Sequence, residues 1–112
     1  MVTRLTKGRL KVTISETRAE LGEVAAREVG AYIRSLLETK PEVNIIFASA
    51  PSQNDFLANL LLEEIDWSRV NAFHMDEYIG IDPHAPQAFG QFLRDRIFSK
   101  KTFKSVNYID SK

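Results

Sequence analysis

Two short stretches of this 112-residue sequence hold side chains whose types and spacing could do chemistry. The first is His74-Met75-Asp76-Glu77-Tyr78, directly after an apolar run. Adjacent carboxylates with a histidine two residues back suit general acid–base work, because a carboxylate at a strand end can be partly desolvated and its proton affinity tuned. In extended geometry His74 and Asp76 point the same way and Met75 the opposite way. The same acids read equally as solvated loop residues, with His74 a satisfied, half-buried polar group. The second stretch is Ser49-Ala50-Pro51-Ser52-Gln53-Asn54-Asp55. Its small residues let a ligand approach the backbone, and the open N–H groups of a helix start attract an anion. Ser52 either offers its hydroxyl to a phosphate or caps the helix, with Pro51 setting the turn. His74, Asp76, Glu77 and His84 share no spacing used by standard metal sites, so no metal is expected.

The elements that must position these residues follow from periodicity. Leu10, Val12 and Ile14 alternate with Lys11 and Thr13, which predicts a strand over Leu10–Ile14. Thr17 and Glu20 make a capping-box pattern. Leu21, Val24, Ala25, Val29, Tyr32, Ile33, Leu36 and Leu37 then recur at helical spacing, up to a stop before Pro41. Gly22 and Gly30 within this helix point to close packing against a sheet. Val43–Ala48 is short and nearly all apolar, as expected of a parallel strand buried on both faces. A second helix is predicted over Gln53–Ile65, a strand over Val70–Met75, a loop over Asp76–Pro86, a third helix over Gln87–Phe98 and a strand over Val106–Ile109. This alternation predicts one α/β domain over residues 1–112, with a doubly wound, mostly parallel, Rossmann-like sheet and helices on both faces. In such sheets ligands bind beyond the carboxyl ends of strands, where both stretches fall.

Composition narrows the partners. Lys plus Arg and Asp plus Glu are each 15, so the formal net charge is zero and nothing draws the chain to nucleic acid or an anionic membrane. Arg94, Arg96, Lys100, Lys101 and Lys104 read as a solvated helix face and turn, and Trp67 as a packing residue. The absence of cysteine excludes disulfides and thiolate metal sites. No signal-like segment opens the chain, and the expected setting is the cytoplasm.

Val70–Gly80 (VNAFHMDEYIG), with Pro86-Gln87-Ala88-Phe89 at a helix start, resembles the glucosamine-6-phosphate deaminase/isomerase family. That family's signature runs a strand into Asn-Met-Asp-Glu-Tyr-x-Gly, with His-Pro-x-Ser-Tyr downstream. The resemblance spans roughly Val43 to Ile109. It implies that Asp76 is the base moving a proton between C2 and C1 of an open-chain amino-sugar phosphate, and that Glu77 assists or orients it. It also implies that Ser49, Ala50, Pro51, Ser52, Gln53, Asn54 and His74 line the sugar phosphate, with no redox cofactor. The departures are local. Gln53 and Asn54 stand where the family has two glycines, Asp55 where it has threonine, His74 where it has asparagine, and Ala88 where it has serine.

The family's ring-opening histidine and basic phosphate ligands find no match here. The expectation is therefore the N-terminal half of a larger domain, inactive alone and either self-associating or pairing with the missing half. Alternatives are a hydrolase like 6-phosphogluconolactonase, whose matching signature is Asp-Glu-Arg, and a non-catalytic sugar-phosphate sensor.

Overall fold

The computed structural model describes residues 1–112. The chain opens with a hairpin of β1 (Val2–Lys7) and β2 (Leu10–Ser15), paired antiparallel with Leu5 opposite Val12. Gly8 sits at the first central position of the two-residue turn with φ 58°. A side chain there would be strained, and glycine is what this class of hairpin turn requires. The sequence pattern anticipates β2 but not β1, because Leu5 is the one apolar residue among Thr3, Arg4, Leu5, Thr6 and Lys7 and no alternation is visible.

Helix α1 (Arg18–Leu37) begins as Thr17 and Glu20 predict. The Thr17 hydroxyl accepts from the Glu20 N–H at 3.1 Å, and the Glu20 carboxylate reaches back to the Glu16 N–H at 3.0 Å. At the other end Arg69 donates to the carbonyls of Leu37 and Pro41, at 2.7 and 2.9 Å, satisfying acceptors that a helix end leaves open. The buried stripe is Gly22, Val24, Ala26, Gly30, Ile33 and Leu37, whereas Leu21 and Tyr32 face solvent. The two glycines do mark close approach, but to the next helical layer and not to a sheet. A Cβ on Gly22 would lie 2.6 Å from Asp55 Cβ, and one on Gly30 would meet the Glu63 side chain.

Strands β3 (Val43–Phe47), β4 (Val70–His74) and β5 (Ser105–Asn107) form a parallel sheet in that spatial order. Between β3 and β4 a 3₁₀ turn (Pro51–Gln53) leads into α2 (Asn54–Leu60), which ends five residues before the predicted Ile65. After β4, α3 (Phe89–Leu93) passes into a π-helical turn over Arg94–Phe98.

Helices on both faces of the sheet are not what this chain forms. Val43, Phe47, Val70 and Ala72 join one core cluster with Ala26, Ile33, Leu57, Leu60, Leu93, Ile97 and Phe98, so α1, α2 and α3 all contribute to the same side. Trp67 packs into this cluster as expected, its ring 4.9 Å from that of Phe103. The opposite face is bare. There Asn71 donates to Asn44 at 3.0 Å and Ser105 donates to Asn71 at 2.7 Å, a polar ladder across three strands. Beyond it Ile46 is 70% exposed. The expectation of a strand buried on both faces is thus corrected at β3: the two sheets have two and three strands, and only the α/β class itself is realised.

Candidate functional site

The carboxyl ends of β3 and β4 lie side by side, since the Met75 N–H donates to the Phe47 carbonyl at 3.1 Å. Both suspected stretches therefore leave the same end of the sheet. Strand geometry stops at His74, and the alternation expected to aim His74 and Asp76 the same way stops with it. His74 is 5% exposed while Asp76 is exposed.

Both ring nitrogens of His74 are engaged. The Ile109 N–H donates to Nε2 at 3.0 Å, so the ring proton sits on Nδ1, which faces the Asp76 carbonyl at 2.9 Å. Neither nitrogen is left for a ligand. The ring instead ties the start of the Asp76 loop to the tail that follows β5.

Glu77 and Asp76 part company. One Glu77 oxygen accepts from the N–H of Tyr78 at 3.1 Å and of Phe89 at 2.9 Å, and the other accepts from Gly90 at 2.9 Å. The carboxylate thereby closes the open N–H groups at the start of α3, where negative charge is favoured. Partial burial works to raise its pKa, but the N–H groups of Gly90, Phe89 and Tyr78 outweigh that and hold it below the usual glutamate range. Asp76, by contrast, makes no hydrogen bond and no ion pair through its carboxylate. One acid of the pair is fixed and the other is free.

The first loop is tied to the same point. Ser49 Oγ donates to the Phe89 carbonyl at 3.0 Å, while the Phe89 N–H is held by Glu77. The backbone of Phe89 thus joins the two strand ends. Further along, the loop is less open to an anion than the sequence suggests. The Gln53 N–H is taken by the Ala50 carbonyl at 2.9 Å, and the Asn54 N–H by the Pro51 carbonyl, inside the 3₁₀ turn. Asn54 Oδ1 accepts from Arg96 Nε at 2.6 Å. Arg18 pairs with Asp55 at 3.1 Å and also donates to the Pro51 carbonyl. Pro51 opens the turn as anticipated, but Ser52 is exposed, caps nothing and makes no hydrogen bond.

Two concavities flank this end of the sheet. One, of about 320 Å³, is lined by Arg18, Gly22, Ser52, Gln53, Asp55 and Phe56. The other, of about 260 Å³, is lined by Glu77, His84, Gly90, Arg94, Tyr108 and Asp110, among others. Asp76 lines neither, so the single cleft expected to join Asp76 and Ser52 is not closed by these residues alone. No group of three acidic or histidine residues is placed to hold a metal ion, and no helix is long and apolar enough to cross a membrane.

Arg94 and Arg96 correct the expectation of a solvated basic face. Arg96 lies 3.7 Å over the Phe92 ring and holds Asn54, and Arg94 lies 4.5 Å over the Tyr108 ring within the second concavity. They stand among charged residues of the turn after α3 (Arg94, Asp95, Arg96), a composition that reads as solvent-facing. Only the packing of the segment after β5 against α3 turns Arg94 inward, and no local pattern signals it.

The chain is similar to glucosamine-6-phosphate deaminase 2 of Bacillus subtilis strain 168, at 28% identity over 93 residues, covering 80% of this chain and 36% of that protein. It is similar also to the glucosamine-6-phosphate deaminase of Streptococcus pneumoniae serotype 4, at 25% identity over 95 residues, covering 85% and 39%. Among solved structures, a monomeric glucosamine-6-phosphate deaminase of the NagB superfamily matches with a TM-score of 0.74 at 20% identity, covering 88% of this chain and 42% of that one. A 6-phosphogluconolactonase from Shewanella baltica matches with the same TM-score, 0.74, at 16% identity, covering 88% and 43%. At these identities the structural likenesses show the fold. No protein-family model matches. The resemblance carried by the Met-Asp-Glu-Tyr segment is borne out, and the chain spans 36–39% of the length of the curated relatives it matches.

Proposed function

We propose that this chain supplies the proton-transfer side of an amino-sugar-phosphate deaminase–isomerase of the cytoplasm, with Asp76 as the base. The observation that carries this reading is the division of labour at the end of β4. Glu77 is locked by three backbone N–H groups, His74 by two partners, and the Asp76 carboxylate between them is free. A base held on a rigid loop and left unpaired can approach a substrate carbon without first breaking a bond of its own.

Asp76 carries the carbon-bound proton, and water supplies the proton that the C1 oxygen gains. The carboxylate takes the proton from C2 of the open-chain aldehyde, and the C–H electrons form the C1–C2 double bond as the C1 oxygen gains a proton. Return of a proton to C1 leaves C2 as an imine carbon. Attack by water there releases ammonia and gives the ketose phosphate. Ser49 and Glu77 serve as positioning residues, because both hold the Phe89 backbone that joins the two loops.

The likeness in fold to 6-phosphogluconolactonases supports a second reading, lactone hydrolysis. The two sequence relatives named above, both glucosamine-6-phosphate deaminases, favour the first. Proton exchange separates them. In D₂O with glucosamine 6-phosphate, the chain should exchange the C2 hydrogen for deuterium, a half-reaction that a base beside C2 drives on the fraction of the sugar that opens to the aldehyde spontaneously in water. Asp76→Asn should reduce exchange to the buffer rate while binding the phosphosugar equally well. Equal exchange by wild type and variant would remove Asp76 from the mechanism.

A further inference from the structure

Arg96 stands in the π-helical turn that follows α3, and its guanidinium crosses to the first loop. Nε donates to Asn54 Oδ1 at 2.6 Å, Nη1 donates to the Phe92 carbonyl at 3.5 Å, and the central carbon lies 3.7 Å from the centre of the Phe92 ring. The group is half-buried and forms no ion pair. A charge drawn partly out of water among neutral partners adds little stability. Stacking on a ring and bonding through one edge do, however, fix its direction. A π turn is itself uncommon and is often kept where it places a functional side chain.

The other side of the same loop is held as well. Arg18 pairs with Asp55 at 3.1 Å and donates to the Pro51 carbonyl. Arg18 and Arg96, from separate elements, thus fasten Pro51, Asn54 and Asp55. Ser52 and Gln53 are left at the crest, with side chains that bond to nothing, lining the concavity of about 320 Å³. Asn54 does not line it, because its side chain is engaged by Arg96.

Helix α3 carries this fastening back to the acid loop. Its first N–H groups, on Phe89 and Gly90, are held by Glu77 at 2.9 Å each, and the turn that ends it holds Asn54. The continuous helical segment Phe89–Phe98 therefore joins the Asp76–Glu77 loop at one end to the Ser52–Gln53 crest at the other. We propose that Arg96 and Asn54 are a positioning pair that fixes this crest at a set span from Asp76, so that a sugar phosphate held at Ser52 and Gln53 brings its reacting carbon to that carboxylate. The identity of the substrate rests on the function proposed above, but the pair's hold on the crest does not depend on Asp76 as the base.

The test follows binding of glucosamine 6-phosphate to the 112-residue chain by NMR and, on the same samples, C2 exchange in D₂O. The amides of Ser52 and Gln53 should shift on titration. Arg96→Gln should weaken binding about tenfold, because the order that a hydrogen bond to a charged group supplied must now come from binding itself. Exchange at saturating sugar phosphate should change by no more than about threefold, since the base is untouched. Asn54→Ala removes the same bond from its other end and should match Arg96→Gln, and the double variant should bind no more weakly than either single one. If Arg96→Gln fails to fold, Asn54→Ala takes its place. Arg96→Lys, which keeps the charge and a donor, should recover part of the affinity. A lower melting temperature with unchanged affinity would make the pair a structural contact and overturn the positioning role. Additive losses in the double variant, or no shift at Ser52 and Gln53, would overturn it too. Affinity lost as expected, with no exchange in the unsubstituted chain, would defeat the role of Asp76 and leave the pair standing. Exchange with an affinity indifferent to both variants would do the reverse.

Discussion

Neighbouring acids of one dipeptide carry opposite duties here, and the difference lies in which backbone donors each can reach. Glu77 is one methylene longer than Asp76 and spans to the start of α3, where three N–H groups receive it. Its folded pKa lies below the ordinary value, so it contributes stability that is fully present above about pH 4.5 and is lost as pH falls through the folded value. Glu77→Gln should therefore lower the melting temperature at neutral pH and flatten the acid limb of a melting-temperature profile. The expected loss at pH 7 is about 1–2 kcal/mol, in the range for removing a helix cap. An unchanged acid limb would show that the three N–H bonds do not hold the carboxylate. Asp76→Asn, at an exposed and unpartnered position, should stay within about 0.5 kcal/mol of wild type by denaturant melts. A large loss there would mean that Asp76 is structural.

At the scale of elements, the site depends on how closely α1 can approach the start of α2. Gly22 allows that approach: its absent Cβ would stand 2.6 Å from Asp55 Cβ and 2.9 Å from the Phe56 nitrogen. Two of the three nearest atoms are backbone and cannot rotate away, so Gly22→Ala must part the helices. The expected cost is about 1–3 kcal/mol, typical of overpacking, although alanine alone would favour the helix. Chemical denaturation checks the sign; a stabilised variant would show that the crossing has slack. Because Arg18 on α1 holds both Pro51 and Asp55, the same substitution should also disturb the amide signals of the Pro51–Asp55 turn.

On the scale of the whole molecule, the bare side of the three-stranded sheet dominates behaviour in solution. Asn44, Ile46, Phe73 and Met75 line an open concavity on that side, with Ile46 70% and Met75 63% exposed. An apolar patch beside open strand edges favours association. Light scattering of the purified chain should report more than a monomer at micromolar concentration, and Ile46→Lys should shift the distribution toward monomer. A monodisperse monomer in the unsubstituted chain would refute this. Ammonia release from glucosamine 6-phosphate should stay at background for the chain alone, since ring opening calls for further groups besides a base, and cooperating groups lose effect out of proportion when separated. Turnover by the purified chain would show that its own residues suffice.

The sequence by itself determined what is local. The Thr17 cap, the helical repeat of α1, the β-branched run of β3, the short apolar run of β4 and the Met-Asp-Glu-Tyr segment are each written within a few residues, and each stands where its pattern places it. The match to deaminases extends beyond these motifs, over 93 to 95 residues. What only the tertiary structure decided is which polar groups are already occupied. Asp76 and Glu77 look alike as residues, and His74 reads as a candidate ligand until Ile109, thirty-five positions away, fills its second nitrogen. Arg94 reads as a surface cation until Tyr108 and His84 close around it. Periodicity records whether a side chain faces in or out along its own element. A hydrogen bond, however, has two ends, and when the second end lies on a distant segment no local pattern encodes it. The bare sheet face has the same origin: Val43–Phe47 reads as buried on both sides because its residues are apolar, but burial needs a partner layer, and α1, α2 and α3 all pack on one side.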